Sequence, residues 1–161
     1  MMTYRIRKDR GFTLIELVIV MAIIGLLAVV VLPRFVNLTG DARGARINGA
    51  LGSVRSAAVI AHGTALARNL GNGATTVAAE GGNITIINGY PTANAAGILF
   101  AAQVTTGVGG DFVLVGGGAA AGSTVTVQAI GAVTPATCQF TYTNPAVAGN
   151  PPAYTVTTTG C

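Results

Sequence analysis

Residues 10–25 read RGFTLIELVIVMAIIG, and this stretch decides how the rest of the chain is interpreted. It opens an apolar run from Phe12 to Leu32. The 21 residues of that run would span roughly 30 Å as a helix, about the thickness of the hydrocarbon core of a membrane. The run is apolar on every side, which suits lipid or a helical core and not the surface of a soluble domain. A single carboxylate, Glu16, interrupts it close to its start.

Basic residues precede the apolar run: Arg5, Arg7, Lys8 and Arg10 all come before Gly11, with only Asp9 against them. This asymmetry predicts a cytoplasmic N-terminus and an exported C-terminal part. The run ends in VVVLPRF, which lacks the small-residue cleavage site of a conventional secretory signal. Because the positive charge is concentrated in the first ten residues, it does not indicate nucleic-acid binding.

Glu16 needs a physical explanation in such a helix. A carboxylate costs roughly 2.5–3.5 kcal/mol at the centre of a membrane helix and less near the interface, so Glu16 requires a partner or a position among the headgroups. A cut after Gly11 would give Phe12 a new α-amine one helical turn before Glu16, in the same copy or in a neighbouring copy. The alternative is that Glu16 lies at the membrane interface and has no further role.

The segment Arg10–Leu17, RGFTLIEL, resembles the prepilin cleavage motif of type IV pilins and of the related secretion pseudopilins. The resemblance implies a class III leader, which a prepilin peptidase cuts between Gly11 and Phe12 on the cytoplasmic side before it methylates the Phe12 amine. It also implies that Glu16 of an incoming subunit pairs with the Phe12 amine of a subunit already in a filament. Thr13 matches the family too, and would either help to bind the amine through its hydroxyl or simply start the helix.

Gly25 and Pro33 match positions at which members of this family carry helix-weakening residues. Pro33 has no N–H and its ring crowds the carbonyl of Val29, while Gly25 costs ~1 kcal/mol relative to Ala in a helix interior. In lipid, the cost of unsatisfied backbone groups enforces the helix. We therefore expect these weak positions to matter only outside lipid.

A second, amphipathic helical segment is predicted over Asp41–Asn69, continuing the first after a kink. Its apolar stripe at helical spacing consists of Ile47, Leu51, Val54, Ala58, Ala61 and Ala65. Asn69 and Gly71 supply the signal for the end of the helix. The stripe should pack on whatever follows it in the chain.

The remainder of the chain is rich in Gly, Thr, Val and Ala, and its segments 83–87, 111–115, 123–130, 138–143 and 154–159 are predicted strands. A short helix is predicted over 92–104, after a turn at Tyr90-Pro91. The fold class is α+β: a long N-terminal helix, with a transmembrane half and an amphipathic half, packs on a small antiparallel sheet as in pilins. The expected division is a cleaved leader (1–11), a transmembrane and filament-core helix (12–33), an amphipathic helix (34–70) and an exported β-rich head (71–161).

The two cysteines, Cys138 and Cys161, leave one possible pairing. If this part of the chain is exported, a disulfide is expected because oxidising compartments favour it. A disulfide that closes the C-terminal region is also what type IV pilins show. A narrower resemblance, to mannose-sensitive haemagglutinin-type major pilins, is carried by Asn37-Leu38, Asp41–Arg43, Asn88–Pro91, Cys138–Tyr142 and Gly160-Cys161.

Catalysis has little support in this sequence. The only histidine, His62, has no second histidine or acid cluster to form a metal site, and neither cysteine has a plausible base nearby. We therefore expect no enzymatic activity, no cofactor, no metal and no nucleic-acid partner.

Three functions remain open from the sequence. The first is a structural subunit of a type IV pilus, for attachment, biofilm formation or motility. The second is a type II secretion pseudopilin, and the third is a membrane-anchored periplasmic binding or enzyme domain on an unrelated signal anchor. The first function implies a helical filament of identical subunits. Its other partners would be the prepilin peptidase, the pilus assembly platform with its ATPase machinery, and the inner membrane, which holds the precursor before the extracellular pilus forms.

Overall fold

The computed structural model describes residues 11–161, and the side chains of these residues except for 33–37. Predictions for the basic leader, residues 1–10, and for the side chain of Pro33 therefore lie outside the described residues. The chain divides into two units between Leu38 and Thr39, and each is described by itself.

The first element is α1, an α-helix over Leu14–Ala67. The two helical segments that the sequence predicts therefore belong to one α-helix. Its backbone is helical at position 33 as well. After Ala67, Asn69 takes a φ of 56°, and the Leu70 N–H donates to the Ala65 carbonyl at 2.8 Å. This left-handed arrangement is a common way to satisfy the last carbonyls of a helix, and it confirms the predicted end of the helix at Asn69.

The residues after α1 form antiparallel sheets, as predicted, but there are two of them. The first sheet contains β1 (Ala74–Ala79), β2 (Gly82–Ile87) and β3 (Tyr90–Pro91), in that order. The second is a meander of β4 (Phe112–Gly116), β5 (Thr124–Ala129), β6 (Gln139–Thr143) and β7 (Ala153–Thr157). All five predicted strands are present, with bounds within two residues of the prediction.

The prediction of a turn at Tyr90-Pro91 is wrong, because the chain reverses at Asn88-Gly89. These two residues take φ values of 53° and 81°, which a two-residue type I′ hairpin turn requires and which Asn-Gly adopts readily. The strand β1 is absent from the sequence prediction. It reads ATTVAA, and only Val77 among its side chains is buried, so it offers almost no apolar alternation.

The short helix predicted over 92–104 is reduced to Ala95–Leu99, and Gly97 inside it leaves the helical conformation with φ −99° and ψ −105°. A side chain at Gly97 would overlap the backbone and the hydroxyl of Thr92. The close approach of Thr92 therefore requires glycine there and interrupts the helix.

The apolar stripe of α1 packs on the sheets, which confirms the prediction from its spacing. Its six residues, Ile47, Leu51, Val54, Ala58, Ala61 and Ala65, are each at most 3% exposed. The first four share a core with residues of the second sheet, among them Val125, Val127, Phe140 and Tyr142. Ala61 and Ala65 pack instead against Val77, Ile84 and Ile86 of the first sheet. One helix face therefore supports both sheets.

Candidate functional site

The first turn of α1 is held by reciprocal hydrogen bonds between Thr13 and Glu16. The Glu16 N–H donates to Thr13 Oγ1 at 3.3 Å, while Glu16 Oε2 accepts from both the Thr13 N–H and the Thr13 hydroxyl, each at 2.9 Å. This is a capping box, in which two side chains satisfy N–H groups that have no partner within the helix. In the single chain Thr13 therefore starts the helix with Glu16 as its partner, and a role of its hydroxyl in binding an amine stays a prediction.

The capping box leaves the Glu16 carboxylate able to bind a further donor. Both bonds from Thr13 reach the same oxygen, Oε2, whereas an ionised carboxylate has about four lone-pair positions over its two oxygens. The positive end of the helix dipole also favours a negative charge in this first turn. In the uncut chain the nitrogen of Phe12 is a peptide nitrogen, so Glu16 can meet a Phe12 α-amine, of its own copy or of another, only after that copy has been cut.

The apolar helix that follows Glu16 is uncovered in the described chain. Leu14–Leu32 is long and apolar enough to cross a membrane, and none of it is buried within the described chain. Phe12 is 91% exposed, and Glu16 is the only charged residue in the span. So apolar a surface requires lipid or other protein around it.

Neither predicted glycine of this segment has a packing reason within the single chain. A Cβ added at Gly11 or at Gly25 would meet no atom within 4 Å. Among the described residues, packing therefore gives no reason for glycine at either position.

Cys138 and Cys161 are joined by a disulfide with an S–S distance of 2.03 Å, and Cys138 is fully buried. The disulfide is supported by contacts that the sequence does not reveal. The Arg43 guanidinium donates to the Cys161 carbonyl at 3.0 Å. At Gly160 a side chain would overlap the hydroxyl of Thr137, so only glycine fits beside the disulfide.

A buried tyrosine connects the two sheets. The Tyr142 hydroxyl, on β6, donates to the Pro91 carbonyl, on β3, at 2.7 Å. Burial raises the pKa of Tyr142, and the neighbouring Tyr154 and Tyr90 raise it further, so the hydroxyl keeps its proton and remains a donor. Burial also raises the pKa of Tyr154, whose ring lies 5.3 Å from the Arg55 guanidinium.

His62 is the one histidine in the sequence, and its ring packs against neighbouring residues. Its ring stacks on Tyr90 with centroids 3.9 Å apart and an angle of 4° between the planes. Its Nδ1 lies 2.8 Å from the Gly89 carbonyl and donates to it. Among the residues that the structure describes, no group of three or more His, Cys, Asp or Glu could hold a metal ion.

Comparison with known proteins finds a family motif and relatives for the N-terminal segment of the chain. The prokaryotic N-terminal methylation motif matches residues 6–32. A type IV narrow pilus major component of Thermus thermophilus is 52% identical over 54 residues, which are 34% of this chain and 47% of that protein. A fimbrial protein of Eikenella corrodens is 47% identical over 58 residues, 35% of this chain and 36% of that protein. A type IV major fimbrial protein of Dichelobacter nodosus is 44% identical over 49 residues, 30% and 31% of the two chains.

The methylation motif and the capping box lie together at the start of the uncovered apolar helix, which is long enough to cross a membrane. Together with these relatives, the motif supports a type IV pilin with a class III leader, and the similarity lies in the N-terminal helix. The matched segments span less than half the length of each relative. No solved structure matches the chain. The narrower resemblance to mannose-sensitive haemagglutinin-type pilins stays a prediction.

Proposed function

We propose that this protein is a structural subunit of a type IV pilus, which assembles through its N-terminal helix into a surface filament for attachment, biofilm formation or motility. The observation that carries the proposal is Glu16, a single carboxylate at the head of an uncovered apolar helix, placed directly after the Gly11-Phe12 cleavage motif. Once the helix leaves lipid, its apolar surface must be covered by other copies. A contact between different surfaces of successive copies generates an open helical filament when the rotation does not close.

The parts of the chain have distinct roles in this proposal. Residues 1–11 are removed by a prepilin peptidase, residues 12–33 form the filament core, residues 34–70 form the amphipathic helix and residues 71–161 form the exported head. The precursor crosses the inner membrane once with a cytoplasmic N-terminus, because basic residues favour that side. An assembly platform and its ATPase machinery extract it, and the disulfide fits an oxidising compartment outside the cytoplasm.

The names of the relatives favour a pilus over a type II secretion pseudopilin and over a membrane-anchored binding or enzyme domain. Both pilins and pseudopilins share the cleavage motif, so the motif does not separate them. Electron microscopy of sheared surface material does: a pilus subunit gives long extracellular filaments, whereas a pseudopilin at its natural level does not. The chain acts, in this proposal, by assembly and not by catalysis.

Processing gives the first test. The mature chain should begin at N-methylated Phe12, since Gly11-Phe12 lies directly before the helix that must leave the membrane. Lys8 is the only lysine, so a chain cut after Gly11 has no lysine side chain to react with amine-specific reagents. Intact-mass measurement of sheared filaments should therefore show a lysine-free chain with a methylated N-terminus.

Gly11→Val is the matched control for processing. A Cβ at Gly11 meets no atom within 4 Å, so the variant should insert and fold like the wild type but remain uncut. The uncut variant should stay in the membrane and keep its reactive Lys8. Residues 1–11 retained in wild-type surface filaments would refute the proposed processing.

A second prediction concerns the conformation of the filament core. We expect regular helix to be lost somewhere between Gly25 and Pro33 in the filament, although α1 is helical there in the single chain. Lipid enforces a regular helix because it cannot satisfy free backbone groups. Packing among protein helices does not impose this requirement so strictly, so the weak segment can extend once it leaves the membrane. Extension from ~1.5 Å to ~3.3 Å per residue would lengthen each subunit and let the filament stretch.

A cryo-electron microscopy map of the filament provides the measurement. Unbroken helical hydrogen bonding from Phe12 through Leu32 would contradict the prediction. The double variant Gly25→Ala, Pro33→Ala should restore helix, because both weak positions are then replaced by the best helix former. If its filaments keep a non-helical segment, local weakness is not the cause.

A further inference from the structure

Three Asn-Gly pairs occur in the chain, at Asn48-Gly49, Asn72-Gly73 and Asn88-Gly89. Asparagine followed by glycine is prone to spontaneous deamidation, because a residue without a side chain lets its nitrogen approach the asparagine amide. In a folded protein the reaction further requires freedom of the backbone and of the asparagine side chain, and such freedom differs strongly between segments. The structure places the three pairs in three different environments.

The chemistry needs only water. The glycine backbone nitrogen gives its proton to water and bonds to the asparagine Cγ. The side-chain amide nitrogen takes up a proton from water and leaves as ammonia when the Cγ–Nδ2 bond breaks. Water then adds to one of the carbonyl carbons of the cyclic imide and breaks a carbon–nitrogen bond of the ring. The product is aspartate, or isoaspartate in which the main chain runs through the former side chain. Nothing is oxidised or reduced.

Asn48 is protected by α1. Its Nδ2 donates to the Gly44 carbonyl at 3.1 Å, which occupies the amide that would have to react. Gly49 lies inside the helix, where its N–H is bonded to a carbonyl one turn earlier. The reaction would require local unfolding of α1 beside the buried residues Ile47 and Leu51.

Asn88 is protected by the turn between β2 and β3. Its Nδ2 donates to the Pro145 carbonyl at 3.1 Å, and its N–H donates to the Gly73 carbonyl at 3.2 Å. The following residue, Gly89, is buried, and its carbonyl accepts from His62 at 2.8 Å. Both the side chain and the backbone of this pair are therefore fixed.

Asn72 has none of these restraints. It lies between the end of α1 and the start of β1, and both Asn72 and Gly73 are exposed. Within the described part of the chain, neither the Asn72 side chain nor the Gly73 N–H makes a hydrogen bond. A Cβ at Gly73 would meet no atom within 4 Å, so space is open around the reacting nitrogen. We infer that Asn72 is a site of spontaneous conversion to aspartate and isoaspartate, from which the fold protects Asn48 and Asn88.

The conversion changes the charge of the exported part. From Thr39 onward the chain carries four arginines and three acidic residues, so a new carboxylate at residue 72 removes the excess of positive charge when His62 is neutral. Isoaspartate also lengthens the main chain at the joint between α1 and β1. Because the Gly73 carbonyl accepts from Asn88, the change occurs beside the turn that joins β2 to β3. The modification is one-way and accumulates with the age of the protein.

The test compares the three pairs inside one molecule. The full chain in detergent micelles is kept at mildly alkaline pH in heavy-oxygen water, which labels each product. Trypsin with a Glu-specific protease then releases Ile47–Arg55 and Asn69–Glu80, and chymotrypsin releases the peptide that holds Asn88. Mass spectrometry with electron-transfer fragmentation separates aspartate from isoaspartate. We expect Asn72 to convert at least about tenfold faster than Asn48 or Asn88, because protection follows local opening.

The same incubation in denaturant is the control for sequence context. The three pairs should then convert at similar rates, because the fold no longer restrains them. Asn72→Gln should abolish the fast conversion in Asn69–Glu80 while circular dichroism shows the fold unchanged. The inference is overturned if Asn72 is no faster than Asn48 or Asn88 in the folded chain. It is also overturned if the unfolded chain shows the same preference for Asn72.

Discussion

Glu16→Gln should leave a chain that folds, inserts and is cut, but that yields at most about a hundredth of the wild-type amount of filament. Glutamine serves in a capping box as glutamate does, so its side-chain oxygen still accepts from Thr13 and the helix still starts there. What the variant lacks is the negative charge. Leaving a buried charge without its partner costs about 3–5 kcal/mol, and 1.4 kcal/mol is a factor of about ten in an equilibrium constant.

The measurement is the amount of sheared surface filament relative to the precursor in the membrane. Thr13→Val is the matched control, because it has nearly the same shape and removes the hydroxyl but keeps the Glu16 charge. Losing a helix cap costs typically about 1 kcal/mol, so this variant should lose much less filament than Glu16→Gln.

The two variants also separate the roles of Glu16. If the carboxylate serves only to cap α1, Thr13→Val should be at least as harmful as Glu16→Gln. If it pairs with an amine, Glu16→Gln should be far worse. Normal filaments in normal amounts from Glu16→Gln alone would show that the pairing argument is wrong.

The elements that the sequence predicts well are those whose signal is local and repeated. The stripe from Ile47 to Ala65 recurs at every helical turn, so the spacing alone predicts that this face of the helix is buried, whichever sheet covers each part of it. The segment around Glu16 is similar, since a carboxylate in a membrane-length apolar run admits few physical explanations. The strand β5 alternates cleanly in burial between Thr124 and Ala129, and its prediction is correct.

The features that the sequence does not reveal depend on residues far away in the chain, or on local patterns that allow two interpretations. Arg43 and Cys161 are 118 residues apart, and nothing near either residue indicates their contact. The strand β1 is weakly patterned and is fixed by its full pairing with β2. The sequence leaves two roles open for Thr13, and only the coordinates of the first turn show that its hydroxyl donates to Glu16 in the single chain.

Removing the disulfide should be the largest single change to the stability of the head. Cys138→Ala with Cys161→Ala opens a loop whose ends are separated by 23 residues. In the chain-entropy view, closing a loop of that size is worth roughly 3 kcal/mol. Alanine is chosen because Cys138 is fully buried, and a serine hydroxyl there would add the cost of an unpaired polar group. Thermal unfolding of the full chain in detergent micelles should show a markedly lower melting temperature.

Arg43→Gln is the control that keeps the disulfide and weakens the contact of Arg43 with the Cys161 carbonyl. It should cost about 1.5–3 kcal/mol or less, the range for one hydrogen bond to a charged group, and it should leave the protein sensitive to a reducing agent. The double-alanine variant should be insensitive to the same agent.

Chymotryptic mapping without reduction should find Cys138 joined to Cys161, since that protease cuts between them at Tyr142 and Tyr154. Two free thiols in exported protein would contradict the disulfide, and equal melting temperatures of wild type and double variant would show that it does not hold the head together.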